Sequence, residues 1–202
     1  LVTEFGRVRL FLNRHGSGFT DISATAGLAD VHWATSAAFF DYDRDGLLDL
    51  VIVNYVDYTP GQDCRDAQGA PDFCAPGTLP PSITQLFHNR GQASGVRASS
   101  EAGAVWFEET TVKAGLARIP GPALGVVCLD FDGDRWPDIL VSDDGRPNRL
   151  FINRHDGTFS EEGVSRGLAY NAMGQAPANM GIAVGDVDGD GLFDVLVPHL
   201  VT

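Results

Sequence analysis

The stretch Asp41-Tyr42-Asp43-Arg44-Asp45-Gly46-Leu47-Leu48-Asp49, running directly into Leu50-Val51-Ile52-Val53, decides how this chain folds. Carboxylates stand at positions one, three, five and nine, and an apolar, largely β-branched run follows without a break. The pattern returns at Asp130-Phe131-Asp132-Gly133-Asp134-Arg135-Trp136-Pro137-Asp138 before Ile139-Leu140-Val141. It returns again at Asp186-Val187-Asp188-Gly189-Asp190-Gly191-Leu192-Phe193-Asp194 before Val195-Leu196-Val197.

Four converging carboxylates repel one another strongly unless a cation neutralises them. The spacing offers Asp41, Asp43, Asp45, the carbonyl of Leu47 and Asp49 as donors in the first loop. The second offers Asp130, Asp132, Asp134, the carbonyl of Trp136 and Asp138, and the third Asp186, Asp188, Asp190, the carbonyl of Leu192 and Asp194. Hard oxygen donors with no His or Cys at ligand spacing favour Ca²⁺ over zinc or copper. Six or seven donors suit it better than the octahedron of Mg²⁺. Three Ca²⁺ ions per chain are expected, with Gly46, Gly133, Gly189 and Gly191 permitting the tight backbone path. The loops are not EF-hands, because Ile52, Val141 and Val197 stand where the bidentate Glu of position twelve belongs.

Outward from the loops, the chain is a repeat. Leu-Phe-x-Asn-Arg occurs at Leu10 to Arg14, Leu86 to Arg90 and Leu150 to Arg154. Phe19, Phe107 and Phe159 each precede a Gly-Leu-Ala word that begins at Gly27, Gly115 or Gly167. Short apolar runs at Ser36 to Phe40, Gly125 to Leu129 and Gly181 to Gly185 lead into the Asp loops and read as strand A. The runs after the loops read as strand B, Leu-Phe-x-Asn as strand C, and Thr158 to Glu161 as strand D. Four antiparallel strands per unit, each A-B hairpin carrying a calcium loop, predict an all-β fold of β-propeller blades. Residues 1–202 form one domain, in which insertions at 57–83 and around Gln92 to Ala104 map to loops.

Composition narrows the partners. The chain carries 27 acidic and 14 basic residues and a net charge of −13. Twelve of the acids sit in the three loops, so the remainder is nearly neutral. That argues against a nucleic-acid partner, which needs clustered Lys and Arg. The apolar runs all fall well short of the ~18 residues that would cross a bilayer, so no membrane insertion is expected. Leu1 is not an initiator methionine, which leaves room for an upstream segment. Cys64 and Cys74 lie in a Gly/Pro/Asp-rich insertion with little apolar material to order it, where a disulfide would act as a staple. Cys128 lies in an apolar strand and reads as a small buried hydrophobe.

These residues resemble the FG-GAP or VCBS repeats of integrin-α-type β-propellers over nearly the whole chain. Leu-Phe-x-Asn-Arg, Gly-Leu-Ala, Ile52-Val53-Asn54 and the Cys64/Cys74 insertion are similar to cartilage-acidic-protein-like secreted propellers. The resemblance implies blades with Ca²⁺ on one face and binding loops on the other. The chain departs from it in lacking the Phe-Gly and Gly-Ala-Pro words of the integrin repeat, and Arg135 and Pro137 crowd the second loop.

In strand order the chain holds C and D, two full A-B-C-D units, then A and B, or about three blade equivalents: two whole and two half. The words Leu1-Val2-Thr3 and Leu200-Val201-Thr202 match at the two ends. Either further blades lie in a longer chain, or two copies form a homodimer that closes a six-bladed ring through split blades. The expected function is non-catalytic: an extracellular or periplasmic module for protein or glycan binding and adhesion, in a space that is calcium-rich and oxidising. The alternative is a carbohydrate-active lyase or hydrolase on the same scaffold. The five His (His15, His32, His88, His155, His199) form no catalytic motif, Arg14, Arg90 and Arg154 read as turn residues, and Trp33, Trp106 and Trp136 as core. A purely structural calcium rod is disfavoured, because an apolar strand flanks every loop.

Overall fold

The structure, a computed structural model, describes residues 2–28, 32–92 and 105–200. The second insertion at 93–104 and residues Leu1, Val201 and Thr202 of the matching terminal words lie outside the described residues. Two four-stranded antiparallel sheets form its centre. Before them come β1 (Val2–Glu4), β2 (Arg7–Arg9), β3 (Phe11–Asn13) and β4 (Phe19–Asp21), with β1 paired to β2 and β3 to β4. The first complete blade is β5 (Ala34–Phe40), β6 (Asp49–Asn54), β7 (Gln85–Gln92) and β8 (Val105–Glu109). A single helical turn, α1 (Thr111–Ala114), leads to the second: β9 (Ala123–Leu129), β10 (Asp138–Asp143), β11 (Arg149–Asn153) and β12 (Phe159–Glu161). The last unit pairs β14 (Ala183–Gly185) with β15 (Asp194–Leu196), and β13 (Ala178–Asn179) with β16 (His199–Leu200).

The A-B-C-D order expected from the repeats is the observed one. In the two complete blades strand A is longer than the apolar run suggested: β5 and β9 begin at Ala34 and Ala123, and each ladder with its strand B carries a bulge at that end, whereas in the last unit the run expected over 181–185 is a strand only from Ala183. β1 was not foreseen. It takes the place of a strand B beside β2, in register Val2↔Arg9, and Gly6 at φ 80° lets the connecting turn close. Pro198, which has no N–H for a ladder, separates β15 from β16, and its carbonyl accepts the Met180 N–H.

The unbroken apolar character of strand B has a packing cause. Alternate side chains of a strand point to opposite faces, and here both faces are covered. Val51 and Val53 pack with Phe40, Tyr42, Leu86, Ile139, Val141 and Phe151, which joins the two complete blades. Leu50 and Ile52 point the other way, onto Val8, Leu10, Ala26, Phe87 and Phe107. Leu140, Leu150 and Ile152 carry the stack on to Ile182 and Val195. Every residue of β6 and β10 is buried.

Gly-Leu-Ala is the interlock between blades. Gly27, at φ 80°, passes so close to the next blade that a Cβ would stand 2.7 Å from the Phe107 carbonyl oxygen. Gly115 (φ 91°) repeats the approach toward Phe159, and the buried Leu28 and Leu116 follow their glycines into the two cores. Cys64 and Cys74 are bonded, with Cα atoms 5.2 Å apart, in an insertion where Phe73 is 96% exposed. The base of that loop closes by the Asp57 N–H donating to the Pro80 carbonyl. Cys128 packs against the core between the two blades, and burial pushes its thiol pKa far up. One buried ion pair was invisible in the sequence: Arg149 holds Asp143 through two bonds of 2.7 and 2.8 Å.

Removing three carbons from the inter-blade core should be costly. Ile139→Ala is expected to lose about 2–5 kcal/mol in urea unfolding, whereas Val187→Ala, 83% exposed, should change stability by less than about 0.5 kcal/mol.

Candidate metal centres

All three Asp loops are wound by the same hydrogen bonds. The first aspartate takes several backbone N–H groups: Asp41 accepts from Asp45 and Gly46, Asp130 from Gly133, Asp134 and Arg135, and Asp186 from Gly189, Asp190 and Gly191. Position five accepts from the N–H of position seven at 2.8 Å in each loop, which holds Leu47, Trp136 and Leu192 against Asp45, Asp134 and Asp190. Positions four and six are left-handed in all three. Arg44 (φ 60°) and Gly46 occupy them in the first loop, Gly133 and Arg135 (φ 73°) in the second, and Gly189 and Gly191 in the third. The first two loops therefore each tolerate one non-glycine in a conformation that disfavours a Cβ, and the third avoids it.

Position nine joins the loop to the sheet. Its Oδ2 accepts the N–H of position two, from Tyr42 to Asp49 at 3.0 Å, Phe131 to Asp138 at 2.9 Å and Val187 to Asp194 at 2.9 Å. Its Oδ1 accepts the N–H of the strand C asparagine, Asn89 to Asp49 and Asn153 to Asp138, both at 2.8 Å. That asparagine then donates from its side chain to the carbonyl of position eight, Asn89 to Leu48 at 2.9 Å and Asn153 to Pro137 at 3.1 Å. Asn153 also reaches Tyr42 O of the preceding blade at 2.8 Å. The fixed Asn of Leu-Phe-x-Asn is thus a loop clamp. The Arg beside it crosses to strand D or its end: Arg14 to Thr20, Arg90 to Glu108 and Arg154 to Glu162.

Carboxylate oxygens of positions one, three and nine converge to within 4.8 Å of one another in every loop: Asp41, Asp43 and Asp49; Asp130, Asp132 and Asp138; Asp186, Asp188 and Asp194. Position five stands aside from these triads. Burial pushes the Asp49 carboxyl up to about 6; the Asn89 and Tyr42 N–H groups oppose the rise and the Asp43 charge adds to it. Asp138 is pushed to about 6 for the same reason, with Asp132 and Asp134 adding to the rise. Packing anionic oxygens together beside apolar strands is unfavourable by itself, and a bound dication removes the cost. An all-oxygen donor set of this kind fits Ca²⁺.

Two histidines missed in the sequence stand beside the loops. His88 comes from strand C, with Nε2 3.1 Å from Asp43 Oδ2 and 3.6 Å from Asp45 Oδ2. His155 comes from the C-D turn (φ 63°), with Nε2 2.5 Å from Asp134 Oδ2 and its ring stacked on Trp136 at 4.6 Å. The Arg44 guanidinium lies over the same indole. Sequence spacing could not pair these residues, because strand C reaches a loop only once the blade has formed. Between the two blades on this face opens a polar cleft of about 420 Å³, lined by Tyr42, His88, Arg90, Lys113, Trp136 and His155 among others. Trp33 instead joins an edge-to-face group with Phe5, Tyr55 and Tyr58, and Trp106 is 41% exposed.

The FG-GAP-like repeat model matches residues 1–52 and 130–197. The interval between the two matched stretches contains both insertions. Among curated proteins, the chain is 26% identical over 203 residues to Cartilage acidic protein 1 of Homo sapiens, covering 97% of this chain and 25% of that protein. It is 25% identical to the Mus musculus protein of the same name and 26% to that of Xenopus tropicalis, with the same coverage. The chain therefore spans about a quarter of the length of the curated relatives it matches.

The clamp and the left-handed positions make separate predictions. Asn153→Ala, which strips buried carbonyls of their donor, should cost about 1–3 kcal/mol in chemical denaturation. Gly46→Val should cost at least about 1–2 kcal/mol, because it forces a β-branched residue into a left-handed conformation, as read by the shift in melting temperature.

Proposed function

The chain belongs to the FG-GAP-like repeat family, and from that membership and its loop geometry we propose that it is a calcium-binding propeller module that binds a protein or glycan ligand and catalyses no reaction. The observation that carries this reading is the recurrence, in phase with the strands, of an aspartate triad whose oxygens lie within 4.8 Å of one another. Asp41, Asp43 and Asp49, with Asp45 and the Leu47 carbonyl, would hold the first ion. Asp130, Asp132 and Asp138, with Asp134 and the Trp136 carbonyl, would hold the second, and Asp186, Asp188 and Asp194, with Asp190 and the Leu192 carbonyl, the third. When bound, the ion supplies positive charge that locks each A-B hairpin.

The protein's own residues do the remainder. Position-nine aspartates transmit loop order to strand C through the Asn89 and Asn153 N–H groups, and Asn153 passes it to the preceding blade at Tyr42. The cleft between the blades then presents fixed groups of both signs, suited to a polar ligand such as a glycan or a charged protein loop. An extracellular or periplasmic setting follows from the Cys64–Cys74 bond and from calcium sites of this kind. The same reading extends to assembly. Among the described residues β3 pairs with β4 alone and β15 with β14 alone; this leaves a strand edge at each end of the stack, of which the first is covered by β1 beside β2 only as far as Arg9. Two copies would join them into shared blades and close a six-bladed ring.

Calorimetric titration with Ca²⁺ is expected to give three equivalents per chain, and Asp132→Ala two. EDTA should lower the melting temperature while a β-type circular dichroism spectrum survives in the cold. An absence of calcium heat in the unmutated chain would sink the proposal. Light scattering is expected to give twice the mass of one chain, and a monomer at working concentration excludes ring closure by two copies.

A further inference from the structure

The first loop differs from the other two in its chemistry. Its Asp43 and Asp45 each have Oδ1 occupied by a backbone N–H, from Asp45 and Leu47 respectively. The remaining Oδ2 atoms face His88 Nε2, at 3.1 and 3.6 Å. That nitrogen is sealed from solvent and makes no hydrogen bond, although two carboxylate oxygens stand beside it, and the imidazole as a whole is only 13% exposed. A buried ring nitrogen that faces two carboxylate oxygens without a hydrogen bond is a polar atom left without a partner, and a cation held between the three atoms would supply one.

The repeat shows that the histidine is particular to this blade. It occupies the variable place of Leu-Phe-x-Asn-Arg, where Leu12 and Ile152 stand in the other copies. In the second blade Ile152 packs with Phe131, residue two of that loop. His88 holds the same relation to Tyr42, ring centroids 5.7 Å apart, yet its Nε2 is turned toward the acids. A hydrophobic side chain is therefore compatible with the architecture, and the imidazole adds a donor. His155, by contrast, makes a direct hydrogen bond to Asp134 and is half exposed.

We infer that Asp43, Asp45 and His88 form a mixed nitrogen-oxygen site at the first loop that takes a divalent transition ion of the zinc class in preference to the calcium that fills this loop when no such ion is present, while the second and third loops take calcium alone. Oxygen and nitrogen ligands at zinc bond lengths of roughly 2.0–2.2 Å in a tetrahedral arrangement lie about 3.4 Å apart, and the two observed separations bracket that value. Imidazole is a good ligand for zinc, copper, iron and nickel and a poor one for calcium. The inference rests on the reading that the first loop binds a dication, and it names which one.

Cobalt(II) is a visible probe for such a site. In millimolar calcium the unmutated chain should bind one Co²⁺, with a ligand-field absorption band that Zn²⁺ abolishes. His88→Ile, which installs the residue of the second blade, should weaken Co²⁺ binding at least about tenfold while calcium still fills the second and third loops. His155→Ala should leave Co²⁺ binding unchanged. His88→Gln serves as a second variant should the isoleucine disturb folding. In the unmutated chain, Zn²⁺ should shift the His88 imidazole resonances and leave those of His15 in place. Equal Co²⁺ affinity in either His88 variant, or unmoved His88 resonances, overturns the assignment. Three calcium equivalents with no Co²⁺ uptake overturn it and leave the calcium reading standing, and the absence of binding by either ion overturns both.

Discussion

The structure depends on one buried carboxylate per blade. Asp49 and Asp138 have no exposed surface, and each spends one oxygen on the loop's second residue and the other on the strand C asparagine. A loop, the strand that follows it and the strand after that are thereby tied at a single point. Burial penalises the charge that makes these bonds strong, and both carboxyls are pushed up to about 6. A cation held beside them would let the group remain ionised and keep its acceptor strength.

Around that point the blades are held by ordinary apolar packing. In the two complete blades strand B has no solvent face, so each of its apolar residues belongs to a core on one side or the other, and successive blades are bound through shared side chains. Such a stack depends on nearest neighbours. Disturbing one loop is therefore felt first by the blade that carries it and next by the blade its asparagine touches. The cleft lined by Tyr42, His88 and Trp136 lies at this junction, where the Asp loops of two blades approach each other. A ligand bound there would contact residues of both blades.

The variable positions of the repeat carry the individuality of each blade. Leu12, His88 and Ile152 share one place in the pattern, and of the three only the histidine brings a nitrogen to an Asp loop. Arg44 and Arg135 each put a charged side chain where glycine would be easier, and Arg44 comes to rest over the Trp136 indole. The repeat supplies the scaffold, and departures from it supply the chemistry that distinguishes one loop face from another.

Much of the architecture is written in local order. The Asp loops, the apolar runs after them and the recurring Leu-Phe-x-Asn-Arg and Gly-Leu-Ala words sufficed to place the four strands of each complete blade, their antiparallel order and the convergence of aspartates one, three and nine, though not β1 or the standing aside of position five, because a nine-residue loop and a period-two strand are governed by neighbouring residues. The staple between Cys64 and Cys74 was equally legible, being ten residues apart in a loop with little else to order it. What the sequence could not reveal joins residues far apart in the chain. Asn153 reaches Tyr42 across 111 positions, Asp49 accepts from Asn89 across 40, and His155 meets Asp134 across 21. Such contacts have no spacing rule. Strand C and the neighbouring blade arrive at a loop only after the sheet has formed and the blades have stacked, so tertiary structure alone decided which histidine faces which aspartate.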